Sequence, residues 1–169
     1  MIDSTLLIVA GFMGTELFSI PLHRYVFHGP LWFIHKSHHS SRHGALEHND
    51  IFSLFFAGLS IGLMALGFFV PEYHEAFFVG LGICVYGAVY FVVHDLMAHK
   101  RYYPLRPKNR IVKALVLAHR RHHQRVDKAG QGPWGLFLYR YDQHFTGTNT
   151  RADLRHLPAD ATLNKSSIQ

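Results

Sequence analysis

Two long stretches of the chain contain no charged residue, and a short polar link separates them. The uncharged stretches are residues 51–70 and 76–93, and the link reads PEYHE. As a helix that rises about 1.5 Å per residue, each stretch is long enough to cross a hydrocarbon core of about 30 Å. The pattern predicts a transmembrane hairpin. A soluble helical bundle is the alternative, but a chain of 169 residues has little interior in which to bury two such helices.

A third apolar stretch lies near the N-terminus, at residues 5–22, and its one charged residue is Glu16. It lacks a preceding basic region and a small-residue cleavage site, so it is interpreted as a membrane anchor and not as a signal peptide. The three stretches predict an all-α integral membrane protein with three transmembrane helices, or four if residues 25–34 also enter the bilayer. We expect residues 1–169 to form a single membrane domain, with a flexible polar tail at residues 151–169.

The basic residues are distributed unevenly around these spans. Lysine and arginine are absent from residues 1–23 and 43–99, whereas the link at 71–75 is acidic. By the positive-inside rule the basic side faces the cytoplasm, so the N-terminus is expected outside and the C-terminus inside. The net charge of +6 is then explained by topology and by contact with membrane lipid. No aromatic and basic binding motif accompanies the charge, so no nucleic-acid partner is expected.

The same topology places four groups of histidines on the cytoplasmic side, with the sequences HRYVFH, HKSHH, HDLMAH and HRRHH. On a helix, positions i, i+3 and i+4 fall within an arc of about 100°, so each HxxHH group points three imidazoles in one direction. The two histidines of HxxxxH are roughly 140° apart on an ideal helix. Such a pair therefore serves one metal only if the helix is distorted, or it contributes to a site between helices.

These groups predict a cytoplasmic helical cap that carries a metal site. Imidazole suits zinc, copper and iron, and ten imidazoles exceed what one metal needs, which points to two. The expected ligands are His23, His28, His35, His38, His39, His94, His99, His119, His122 and His123. No catalytic residue is predicted beyond these ligands. Candidates for orienting imidazole N–H groups from outside the ligand set are Glu16, Glu47, Asn49, Asp50, Asp95 and His144.

Local signals place the histidine groups on separate helices. Gly29 and Pro30 are expected to end the helix that carries His28 and to fold HKSHH back toward HRYVFH. Asn109 is the expected N-cap of a helix that ends in HRRHH.

At these residues the chain resembles the membrane-bound di-iron hydroxylase and desaturase group. Within that group, the order of the histidine boxes, the short length and the segments around residues 47–50, 86–87 and 93–95 are similar to the bacterial β-carotene hydroxylases. The resemblance runs from about residue 23 to residue 139 and covers most of the chain.

The resemblance implies an O2-dependent di-iron monooxygenase in the bacterial plasma membrane. It would hydroxylate C3 of the β-ionone rings of carotenoids, so that β-carotene gives zeaxanthin through β-cryptoxanthin. The implied cofactor is a pair of iron ions, with zinc as a substituted metal, and the implied partners are the carotenoid, O2 and an external electron donor such as a ferredoxin. The donor is expected to dock on Lys100, Arg101, Arg120, Arg121 and Arg125, and the carotenoid to contact Phe52, Phe55, Phe56, Tyr86, Tyr90 and Phe91.

Two other readings stay open at this point. A related di-iron enzyme that acts on a fatty acyl chain or a sterol would use the same ligands. A non-enzymatic membrane protein that carries a metal or binds haem is the second reading. A metal carrier needs polar groups along its spans, where only Glu16 offers one, and haem needs far fewer histidines than this chain has.

Overall fold

The computed structural model describes residues 2–40 and 45–138, and these residues are helical with no strand. The α-helices are α1 (Ser4–Pro21), α2 (Trp32–His39), α3 (Asp50–Phe69), α4 (His74–Tyr90) and α5 (Arg110–His123). Two π-helical segments, π1 (Leu22–Phe27) and π2 (Phe91–Ala98), extend α1 and α4, and a 3-10 turn (Pro71–Tyr73) joins α3 to α4. The prediction of an all-α protein is confirmed.

Three helices are long and apolar enough to cross a membrane, and they run over Ser4–Phe27, Asp50–Phe69 and Pro71–Ala98. Their apolar side chains are largely exposed, with Leu54 at 71% and Phe69 at 76%, and exposed apolar surface of that extent is typical of helices that contact lipid. The prediction of three spanning helices is therefore confirmed. Residues 25–34 comprise the end of π1, a turn and the start of α2, so they do not form a fourth spanning helix. The tail predicted at residues 151–169 lies outside the described residues.

Helix α4 is central to the membrane part, because α1 and α3 both pack against it. Close packing with α1 depends on Gly82, where a Cβ would lie 2.9 Å from the backbone nitrogen of Phe12. On the other side, the hydroxyl of Ser60 in α3 donates to the carbonyl of Gly80 in α4 at 2.8 Å. This arrangement leaves a space between α1 and α3, in front of α4.

The two π-helical segments stand at the same end of the bundle, which we call the histidine end. The N–H of His28 donates to the carbonyl of His23 at 3.0 Å, and the N–H of His99 donates to that of His94 at 2.9 Å. Bonds between residues five apart define a π-helix, which places residue i+5 about one turn above residue i. Each HxxxxH pair therefore shares one face, through the helix distortion that the sequence pattern requires for a common metal.

Turns and caps bring α2 and α5 to the histidine end as the sequence predicts. After π1, residues 28–31 form a turn and α2 folds back. The side chain of Asn109 accepts a hydrogen bond from the N–H of Val112 at 2.8 Å and caps α5. Helix α5 packs on π2 through a small core that contains Val93, Leu115 and Val116. The predicted turn and the predicted cap are both confirmed.

Candidate metal centre

All of the histidines in the four groups lie at the histidine end, in two clusters. Cluster I consists of His23, His28, His35, His39 and His122. Cluster II consists of His38, His94, His99, His119 and His123. Within each cluster, one nitrogen from every histidine lies within 4.8 Å of one nitrogen from every other. Each cluster has only imidazole donors, a set suited to zinc, copper or iron.

The two HxxHH groups each serve both clusters. In α2, His35 and His39 belong to cluster I and His38 belongs to cluster II. In α5 the pattern is reversed, since His119 and His123 belong to cluster II and His122 belongs to cluster I. Each cluster therefore takes histidines from both halves of the chain, and neither half completes a cluster alone.

In cluster I, oxygen atoms outside the cluster orient four of the imidazoles through Nδ1. The pairs are His23 with the Trp134 carbonyl at 2.9 Å, His28 with the Lys128 carbonyl at 3.2 Å, His35 with Asn49 Oδ1 at 2.7 Å, and His122 with the Gln131 carbonyl. A neutral imidazole that donates from Nδ1 carries its lone pair on Nε2. These hydrogen bonds thus direct Nε2 lone pairs into the cluster, as metal binding requires.

In cluster II, one carboxylate takes this orienting position, and further acidic groups lie beside it around Arg101. The Nδ1 of His38 donates to Glu47 Oε2 at 3.0 Å. Asp95 Oδ1 lies 3.4 Å from His94 Nδ1, beyond normal hydrogen-bond length. The buried guanidinium of Arg101 binds Asp95 at 3.1 Å and Asp50 at 2.6 Å, and it lies 3.9 Å from Glu47. Arg101 therefore holds the acidic groups beside cluster II together and offsets part of their negative charge.

The close approach of imidazole nitrogens within the clusters fits the binding of a cation between them. His23 Nε2 lies 3.1 Å from His35 Nε2, although both residues already donate from Nδ1 to oxygen. Two lone pairs at this distance repel each other unless a positive ion lies between or beside them. In addition, the buried Nε2 atoms of His28, His39, His122 and His123 have no hydrogen-bond partner among the described residues. Metal ions would satisfy these nitrogens.

A proton is a poor alternative to a metal here, because burial disfavours charged imidazolium. Burial, followed by the neighbouring histidines, lowers the pKa of His35 to about 3 and that of His39 to about 2. Burial also lowers the pKa of His122 to about 4. These imidazoles are neutral near pH 7 and are therefore ready to bind a metal.

Three expectations from the sequence need correction. Glu16 does not orient His23 directly. Its carboxylate accepts hydrogen bonds from the Tyr86 hydroxyl and from backbone N–H groups of residues 136–138, because these donors surround it in the folded chain. Asp50 binds Arg101 and the backbone N–H of Glu47, not an imidazole.

Arg101 is the third correction, since it is only 3% exposed and cannot be part of a docking surface. Its guanidinium forms ion pairs with Asp50 and Asp95, which come together around it in the folded chain. Of the other candidates, Glu47 and Asn49 contact imidazoles as described above, and His144 lies outside the described residues.

The segment at residues 128–138, which we call the cap loop, was not predicted as part of the site. Its main-chain carbonyls bind three imidazoles of cluster I, and main-chain atoms leave no side-chain signal in a sequence. The ring of Trp134 covers the same cluster, with ring centroids 4.9 Å from His28, 5.3 Å from His122 and 5.5 Å from His23. The glycine-rich GQGPWG sequence at residues 130–135, separated from the end of α5 by six residues, is the available sign of a loop in the sequence.

A cavity of about 600 Å³ leads from the membrane part to both clusters. It lies between α1, α3 and α4, and its inner end is formed by His23 and His35 of cluster I with His38, His94 and His119 of cluster II. Its lining includes Leu54 and Ile61, which are 71% and 67% exposed on the membrane-facing surface, so the cavity opens sideways between the helices. Five of the six predicted channel aromatics line it, the exception being Phe55.

Comparison with known families agrees with the resemblance seen in the histidine groups. The fatty acid hydroxylase family model matches residues 8–148, and the chain belongs to this family. It is 38% identical to a β-carotene hydroxylase of Pantoea ananas over 80% of this chain and 77% of that protein. It is 40% identical to a β-carotene hydroxylase of Paracoccus sp. (strain N81106 / MBIC 01143) over 70% of this chain and 73% of that protein.

A chloroplastic β-carotene 3-hydroxylase 1 of Arabidopsis thaliana is 38% identical over 90% of this chain. This chain spans about half of the length of that relative and of a Haematococcus lacustris one, with 50% and 45% covered. No solved structure matches the chain significantly.

Proposed function

We propose that this chain is a membrane-embedded di-iron monooxygenase that hydroxylates C3 of carotenoid β-ionone rings, converting β-carotene to zeaxanthin through β-cryptoxanthin. The single observation that carries this proposal is the apolar cavity that opens to the membrane at one end and reaches both histidine clusters at the other. Relatives of this chain from bacteria and plants are named β-carotene hydroxylases, which supports carotenoids as the substrate class.

Each histidine cluster would hold one iron. When bound, the two irons would supply activation of O2 and transfer of one oxygen atom to an unactivated C–H bond. The chain itself orients the ligands: Glu47, Asn49 and the cap-loop carbonyls hold the Nδ1–H groups, so that the Nε2 atoms are available. Zinc has the same preference for imidazole and would be the expected substituted metal.

The cavity suits an apolar ring rather than a polar one. The hydroxyl of Thr15 donates to the Gly11 carbonyl at 2.7 Å, and that of Ser19 donates to the Glu16 carbonyl at 2.8 Å. The donor hydrogens of both hydroxyls are thus used within α1. Phe27 and Phe52 stack at 3.8 Å beside this space and offer a flat apolar wall near cluster I. These contacts would bind the ring by apolar burial and keep water away from the clusters.

The orientation in the membrane follows from charge. Exposed basic residues at the histidine end include Arg24, Lys36 and Lys108, whereas the opposite end carries Asp3, Glu72 and Glu75. By the positive-inside rule, this distribution supports a histidine end on the cytoplasmic side of a bacterial plasma membrane. There an external donor such as a ferredoxin would supply the electrons, and the exposed basic residues would attract its acidic surface.

Expression in a bacterial host that accumulates β-carotene tests the proposal. The wild-type chain should produce β-cryptoxanthin and zeaxanthin, and His38→Ala should abolish both by removing a cluster II ligand. His74→Ala is the matched control, because His74 is exposed at the opposite end of the bundle. Unchanged β-carotene together with hydroxylated fatty acids would instead identify a fatty acyl hydroxylase and reject the carotenoid assignment.

A further inference from the structure

Glu16 is a fully buried carboxylate within a membrane-spanning helix, with 0% of its surface exposed. A buried carboxylate is costly unless hydrogen bonds satisfy it. Here each carboxylate oxygen of Glu16 accepts two hydrogen bonds. The four donors are the Tyr86 hydroxyl at 2.7 Å and the backbone N–H groups of Leu136 at 3.2 Å, Phe137 at 2.8 Å and Leu138 at 2.8 Å. Glu16 thereby ties the end of the cap loop to α1 and α4.

The same loop carries the carbonyls that orient cluster I. Lys128, Gln131 and Trp134 accept hydrogen bonds from the Nδ1 atoms of three cluster I histidines. Trp134 is only two residues from the first backbone N–H that Glu16 binds. A shift at residues 136–138 would therefore move the Trp134 carbonyl away from His23 and release the orientation of that imidazole.

From this geometry we propose that Glu16 is a positioning residue for cluster I. Resting on the proposed function, the inference is that Glu16 holds the cap loop so that its carbonyls fix His23, His28 and His122 for one of the two irons. Cluster II depends on different groups, Glu47 and Arg101, which lie on other segments of the chain. Loss of Glu16 should thus affect one metal site and spare the other.

Glu16→Gln is the most informative substitution, because it keeps the shape of the side chain. Each carboxylate oxygen of Glu16 accepts two hydrogen bonds. In either orientation of the glutamine amide, its NH2 group would replace one of these oxygens and face two hydrogen-bond donors. At least one backbone N–H of the cap loop then loses its partner. Gly135→Ala disturbs the same contact from the loop side, since its Cβ would lie 2.5 Å from Glu16 Oε1.

The test is the iron content per folded chain, measured by elemental analysis after loading with iron(II) alone. Wild-type protein should hold two irons, whereas Glu16→Gln and Gly135→Ala should each hold about one. Combining Glu16→Gln with His122→Ala should remove no further iron, because both changes act on cluster I. Combining it with His119→Ala, in cluster II, should lower the content toward zero.

Two irons in both single variants, or equal loss from both clusters, would overturn the positioning role. A purely structural role of Glu16 would lower the yield of folded protein without changing the iron content of what remains. If Glu16→Gln does not fold, Gly135→Ala decides the question by the same measure. A wild-type protein without two irons would instead contradict the proposed function, so the two failures are distinguishable.

Discussion

The imidazole rings of His39 and His123 stack with centroids 4.3 Å apart and planes 21° apart, although His39 belongs to cluster I and His123 to cluster II. The two clusters are therefore in direct contact. One residue comes from α2 and the other from α5, so this contact joins the two halves of the chain. A substrate held at the inner end of the cavity would meet both clusters at once.

Removing the oxygen atoms that orient His38 should weaken metal binding. In Glu47→Ala, the Nδ1–H of His38 loses its acceptor and the ring can turn its Nε2 away from cluster II. We expect about 10–100-fold lower iron affinity or activity, the usual cost of losing such a partner. Competition with a chelator measures the affinity. Glu72→Ala, at the opposite end, is the control, and equal effects of the two changes would contradict the assigned role of Glu47.

Replacing Arg101 should destabilise the histidine end strongly. Arg101→Ala leaves Asp50, Asp95 and Glu47 close together without their common cation. Breaking a buried ion pair by removing one partner costs about 3–5 kcal/mol. The midpoint of thermal unfolding in detergent should fall well below that of Lys108→Ala, which removes an exposed charge. Similar unfolding midpoints for the two variants would show that the ion pairs of Arg101 contribute little to the stability of the protein.

Filling the cavity should block turnover without loss of metal. Ala57 lines the cavity, so Ala57→Phe places a ring where the substrate would lie. Gly58→Phe is the control on the same helix, since a Cβ on Gly58 meets nothing within 4 Å and the residue does not line the cavity. We expect zeaxanthin formation to fall at least tenfold in Ala57→Phe only, with iron content unchanged in both. Full activity of Ala57→Phe would place the substrate elsewhere.

The metal-free protein should lose stability as the pH falls below the ordinary histidine value of 6.5. Burial lowers the pKa of His35 and His39 in the folded state to about 3 and about 2, so the unfolded chain binds more protons below pH 6.5. Their contribution is fully present above that value and is lost progressively toward the folded-state values. Heat unfolding of chelator-treated protein at several pH values should show this loss of stability as the pH falls.

A matched pair of variants isolates this effect. His39→Leu removes one buried titrating group. The free energy of unfolding of this variant should therefore change less steeply with pH than that of the wild type, by about 1.4 kcal/mol per pH unit. Gln124→Leu, an exposed change nearby, should keep the wild-type slope. A wild-type stability that is constant between pH 7 and pH 4 would contradict the burial of neutral imidazoles.

Local patterns were sufficient to predict the membrane helices and the meeting of the histidine groups. The absence of charge at residues 51–70 sets the span of α3, which the structure places at Asp50–Phe69. Asn109 caps α5 through a contact within its own segment. Such features depend on neighbouring residues, which is why the sequence alone predicts them.

Features that depend on tertiary structure were not predictable in the same way. Arg101 looks like a surface charge until Asp50 and Asp95 meet around it in the folded chain. The π-helical segments have no distinct residue signal, although the HxxxxH spacing indicates that a regular helix would not suffice. The cap loop orients the imidazoles through main-chain carbonyls, and these leave no side-chain signal in the sequence.

The iron content of active, purified protein tests the central claim most directly. If the clusters form two adjacent sites, wild-type chain purified without added metal should contain two irons and convert β-carotene in the same sample. His35→Ala and His38→Ala, one ligand from each cluster, should each lower the iron content and abolish conversion. Active protein that holds a single metal, or zinc without iron, would contradict the di-iron proposal.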